Sequence, residues 1–87
     1  MASNDTNMAI ALEALIWVLQ DETRSTRLLG LTGLTPEDMR ARIDDPELLG
    51  AVLGYLEAHE PDLIACAHAI ERNPAALLGA KAALAGD

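Results

Sequence analysis

Few side chains in this sequence are equipped for chemistry, and their spacing keeps them apart. Cys66 is the one cysteine, and His59 and His68 are the two histidines. A thiol or hydroxyl becomes a useful nucleophile only with a base in hydrogen-bond reach. His68 follows Cys66 by two residues, ~200° around a helix, so the two do not meet on one helix. Cys66 falls at the edge of an apolar face, where a thiol behaves as a small hydrophobe with a raised pKa. Ser3 belongs to a terminus expected to fray, and Ser25 to a polar helix face. No catalytic residue is assigned.

A metal would have to draw on Glu57, His59, Glu60, Asp62 and His68. The two histidines lie on different helices, and neither HExxH nor His-x3-His spacing occurs. Glu71 and Arg72 follow His68 at one-turn spacing, which reads as a solvated face. The acids gather at helix starts, where the helix dipole already accounts for them. Neither GxGxxG nor GxxxxGK[ST] is present, so no phosphate loop is marked. A phosphopantetheine carrier needs a serine at a helix start, and no Asp-Ser pair exists. The chain is expected to hold no metal and no cofactor.

Charge narrows the partners. The formal net charge is −8, with only six Lys and Arg to neutralise phosphates, which argues against nucleic acid and anionic membrane surfaces. The longest apolar run, Met8 to Leu19 broken by Glu13, is too short to span a bilayer. Residues Met1–Asn7 carry Asp5 instead of the basic residues of a signal peptide. A cytoplasmic setting is the expectation.

The elements that would position any site are helices. Hydrophobic residues make up 51% of the chain, too many for a disordered one. About a third of the residues are Leu or Ala and Phe is absent, so strong helix formers displace the residues strands prefer. The fold class is all-α, a single domain over 1–87 with residues 1–5 fraying. Four prolines parse it. Thr35-Pro36, Asp45-Pro46, Glu60-Pro61 and Asn73-Pro74 each put a polar residue where a helix cap belongs, then proline where a missing N–H costs nothing. Thr35 with Asp38 approximates a capping box, and Gly33 is a left-handed helix end. Helices are expected near 5–20, 22–32, 36–43, 46–58, 61–72 and 74–85. Joined by such short connections, they suggest a compact orthogonal array of five to six short helices.

Helical periodicity assigns the faces. Met8, Leu12, Leu15, Ile16 and Leu19 form the core stripe of the first helix. Leu28, Leu29, Leu31 and Leu34 form a cluster around the second. Leu48, Leu49, Val52, Leu53 and Leu56, with Tyr55 at the edge, serve the fourth, and Leu63, Cys66, Ala67 and Ile70 the fifth. Ile10 and Trp17 point nearly opposite the first stripe, so that helix is apolar almost all round and should be covered on both sides, either as the central helix of the array or with its second face against another chain. Gly50 and Gly54, near Ala51 and Ala58, mark the back of the fourth helix for a close crossing, within the fold or against another chain. Ile10, Trp17, Gly50 and Gly54 are therefore the candidate interaction surface.

Ala11-Leu12-Glu13-Ala14-Leu15, Leu31-Thr32-Gly33-Leu34, Asp38-Met39-Arg40-Ala41-Arg42 and Asp45-Pro46-Glu47-Leu48-Leu49, with Val52, Leu53 and Leu56, carry a resemblance. The chain resembles a small all-helical bacterial family known as domain of unknown function 3572. The resemblance implies the helical fold and brings no catalytic residue, ligand or partner with it.

Two functions of different class remain. The first is a non-enzymatic protein–protein interaction module, a small acidic helical adaptor or regulator that binds a protein partner or itself as a homodimer. The alternative is a small enzyme or ligand-binding domain whose site assembles only in three dimensions. A bare apolar patch favours the first and a pocket of shifted titratable groups the second. Elemental analysis and intact mass of protein from its own host should show neither stoichiometric metal nor an added prosthetic mass. Zinc held through His59 or His68 would overturn the first reading.

Overall fold

The computed structural model describes residues 3–85, with side chains for 6–84. Six helices follow one another: α1 Ser3–Leu19, α2 Glu22–Thr32, α3 Pro36–Ala41, α4 Pro46–Ala58, α5 Glu60–Ala69 and α6 Pro74–Ala85. No strand occurs among the described residues. Of residues 1–5, expected to fray, 3–5 belong to α1 and 1–2 lie outside the described residues.

Local chemistry starts and stops these helices. Thr35 Oγ1 accepts the Asp38 N–H at 3.1 Å while Asp38 Oδ2 accepts the Thr35 N–H at 3.1 Å, a reciprocal capping box. Asp45 Oδ1 accepts the Glu47 N–H at 2.9 Å, and its Oδ2 takes both Nε and Nη2 of Arg42 at 3.0 and 2.9 Å. The Glu47 N–H, then the Arg42 guanidinium, hold the Asp45 carboxyl below its ordinary pKa. Asn73 Oδ1 caps α6 through the Ala76 N–H at 3.0 Å. Asp21 caps α2 through the Arg24 N–H at 3.0 Å, without a proline to announce it. Each such cap contributes ~1 kcal/mol. Gly33 ends α2 at φ 73°, with its N–H on the Leu29 carbonyl at 2.8 Å.

Of the boundaries that differ from the sequence expectation, three have a visible local cause. α3 stops at Ala41, because Asp45 before Pro46 must be extended (φ −82°, ψ 118°) and residues 42–44 turn to reach it. Glu60 is the first residue of α5 instead of its cap: the first turn closes with the Leu63 N–H on the His59 carbonyl at 3.0 Å. α5 stops at Ala69 instead of near 72. There the Arg72 N–H bonds the Ala67 carbonyl at 2.8 Å and the Glu71 N–H the His68 carbonyl at 3.2 Å, a Schellman turn. Glu71 occupies its left-handed position at φ 61°, where glycine is the usual residue.

The core sits between α1, α4 and α6, which pack mutually and most extensively. α1 contributes Ile10, Ala11, Ala14, Leu15 and Val18; α4 contributes Leu48, Leu49, Val52, Leu53, Tyr55 and Leu56; α6 contributes Leu77, Ala80 and Leu84. This corrects the stripe expected of α1. Ile16 and Leu19 are 50% and 43% exposed, while Ile10, expected opposite the stripe, is 5% exposed. Small residues let three helices approach closely, so the face carrying Ala11 and Ala14 turns inward and the larger Ile16 and Leu19 are left outside. Leu31, expected in the cluster around α2, also faces outward at 61% exposure. Ion pairs stitch the outside: Arg27–Asp62 joins α2 to α5, Lys81–Glu57 joins α6 to α4, and Arg72–Glu13 ties the α5–α6 turn to α1.

The left-handed Glu71 gives a direct test. A side-chain-bearing residue in that conformation costs ~1–2 kcal/mol, part of which glycine returns as entropy of the unfolded chain. Glu71→Gly should raise stability by ~0.5–1 kcal/mol, and Glu71→Val should lower it. Urea midpoints at unchanged slope measure both, and a glycine variant less stable than wild type would contradict the geometry.

Candidate functional site

One group of titratable side chains assembles in three dimensions. α4 carries Tyr55 inward, and its hydroxyl donates to Asp62 Oδ2 at 2.7 Å across to α5. Arg27 of α2 donates Nη1 to the same oxygen at 3.1 Å. The His59 ring stacks obliquely on Tyr55 at 4.9 Å between centroids, with Nδ1 3.0 Å from the Tyr55 carbonyl oxygen. Behind them Cys66 is buried completely.

The electrostatics of this group run against a thiolate or phenolate nucleophile. Burial, then the Asp62 carboxylate accepting its proton, pushes the Tyr55 hydroxyl above its ordinary pKa. Desolvation pushes Cys66 up to about 11, with Arg24 opposing and Asp62 adding to the rise. A nucleophilic thiol needs the opposite shift. The Tyr55–Asp62–Arg27 chain satisfies a buried hydroxyl and joins three helices, which is a structural task. No group of three or more His, Cys, Asp or Glu side chains among the described residues has the geometry to hold a metal ion.

The four residues of the candidate surface separate. Ile10 belongs to the core. Trp17 is half-buried against that core, with the Arg24 guanidinium 3.6 Å above its ring. α1 ends at Leu19, and Arg24 in the first turn of α2 folds back to donate Nη2 to the Trp17 carbonyl at 3.0 Å. A cation thus meets, at once, an aromatic face and a carbonyl at the negative end of α1 that also accepts the Gln20 N–H at 3.3 Å. Sequence reasoning missed Arg24. Its only signal was an arginine seven residues after a tryptophan across a helix break. Gly54 faces α6, where a Cβ would lie 3.5 Å from Lys81 Cε. Gly50 has open space beside it.

Part of the exposed apolar surface is connected. Ile16 and half-buried Ile70 line a shallow groove of about 370 Å³ between α1 and α5, with Trp17 and Glu13. Leu19 and Ile43 line a second of about 220 Å³ among α1, α2 and the end of α3, over Leu15 and Met39. Ile16 and Leu19 are neighbours one turn apart. The strip Ile70–Ile16–Leu19–Ile43 therefore crosses the C-terminal half of α1. A third groove of about 420 Å³ runs along the back of α4 over Ala51, Gly54 and Ala58, walled by Leu31 and Leu34.

Fold and surface together define a small six-helix α-domain with an apolar strip across its first helix. The chain belongs to the family described as "Protein of unknown function (DUF3572)", whose model matches residues 4–87. No curated protein and no solved structure matches it.

The raised pKa of Cys66 has a signed consequence. Its value in the fold, about 11, lies above the ordinary 9.0. The folded state therefore holds the proton longer, and this contribution is complete below pH 9 and lost as pH rises through 11. Tyr55 acts in the same direction. Urea midpoints should fall steadily from pH 9 to 11 in wild type and less steeply in Cys66→Ala. Ellman's reagent at pH 8 should label the wild-type thiol only as fast as the chain unfolds.

Proposed function

We propose that this protein is a non-enzymatic protein–protein interaction module, a small acidic helical adaptor or regulator. The observation that carries the reading is the strip Ile70–Ile16–Leu19–Ile43. Single exposed aliphatic residues are ordinary on a soluble protein, but a linked row flanked by two grooves is the form of a protein contact. Helix-in-groove recognition suits such a surface, since an all-helical chain offers no sheet edge for strand addition.

The charges support a protein partner over nucleic acid. Arg27, Arg42, Arg72 and Lys81 are paired with carboxylates, and Arg24 lies on Trp17, so no basic patch forms among the described residues. No helix of the described residues is long and apolar enough to cross a membrane. A cytoplasmic setting fits this and fits a chain whose one cysteine is a free thiol.

The test compares tagged wild type with Leu19→Asp, purified side by side from the native host, with light-scattering mass of each. Leu19 is outside the core, so the variant should keep its thermal midpoint within a few degrees. Wild type should carry one protein at fixed stoichiometry, or be a dimer, and Leu19→Asp should lose it. A wild type that is monomeric at high concentration and comes alone from its host would overturn the proposal.

A further inference from the structure

We infer that the groove among α1, α2 and α3 takes an amphipathic helix from another protein, one that brings aliphatic side chains one turn apart and a carboxylate beside them. This rests on the interaction reading above and specifies the partner.

The shape comes first. Leu15 and Met39 floor the groove at 1% and 3% exposure, Leu19 and Ile43 form its lips at 43% each, and Ser25 and Arg40 are the polar side chains at its edge. A volume of about 220 Å³ is the space of roughly seven waters at ~30 Å³ each. That is below the ~300–1,000 Å³ of small-molecule sites and suits one or two inserted aliphatic side chains.

The charge comes second. Arg40 is the one cation among the described residues with no carboxylate in ion-pair reach and no ring beneath it. It goes unmatched in a chain with fourteen acids and six basic residues. No hydrogen bond or ion pair among the described residues uses its guanidinium, which stands exposed beside the apolar lips of the groove. A carboxylate arriving with the partner's aliphatic residues completes it. A second copy of this chain is the poorer occupant, because two bodies of net charge −8 repel on approach.

Display selection of a helical peptide library against the immobilised whole chain reads the partner's chemistry directly. Winners should carry Leu, Ile or Met one turn apart with Asp or Glu alongside. Their binding should shift the methyl resonances of Leu15, Leu29, Met39 and Ile43. Arg40→Gln should weaken the winners roughly three- to tenfold, with circular dichroism and thermal midpoint unchanged. Selection against Arg40→Glu should replace the acid by Lys or Arg. Winners without an acid, or the same winners from Arg40→Glu, overturn the inference. So does a dimer whose mass halves in Ile43→Asp, which makes a second copy the occupant. Winners that map to the α1–α5 groove sink this inference and leave the interaction module standing. No winners, with a monomer that comes alone from its host, sink both.

Discussion

The packing of Ala11, Ala14 and Val18 between α4 and α6 is the contact on which the rest of the molecule depends. A core without phenylalanine fills its volume by bringing helix backbones together, and that requires small side chains where three helices meet. Val52 of α4 and Ala80 of α6 belong to the same core, and all are fully buried. Leucines and Ile10 fill the margins. Once α1 turns this face inward, its rotation is fixed, and so is the side that points away. The bare strip through Ile16 and Leu19 follows from the choice of core.

That choice explains which parts of the fold were legible in the sequence. Thr35, Asp45 and Asn73 cap the helices that their prolines announce, and Gly33 closes α2, because caps and turns are decided within a few residues. Tertiary geometry decided the rest. α1 is apolar nearly all round, so periodicity placed a face without fixing which one the neighbours would take. It favoured the larger leucines and isoleucines over the alanines. The left-handed Glu71 carried no mark either: the turn needs a residue there, and the chain supplies one without glycine's freedom.

The candidate surface shows the same division. Trp17 stands out in a sequence with two aromatic residues, yet its environment is made by Arg24 folding back from the next helix. The Tyr55–Asp62–Arg27 chain draws on three helices, and no spacing along one of them encodes it. Arg40 is equally silent in sequence, since being without a partner is a property of its surroundings. Sequence spacing marked no phosphate loop, no HExxH pair and no Asp-Ser carrier site. It left Ile10 between the interior of the array and a contact with another chain, and the fold put that residue inside.

The central position of α6 also bears on how the chain is made. α1 and α4 leave the ribosome well before residues 74–85, the helix that covers both. Until Leu77 and Ala80 emerge, the inward face of α1 and much of α4 have nothing to pack against. Caps mark where those helices start, but short helices need tertiary packing to persist, and the core waits. A nascent chain from which α4 has emerged but α6 has not would therefore display an aliphatic surface far larger than the strip of the finished molecule, and would be a natural client for chaperones.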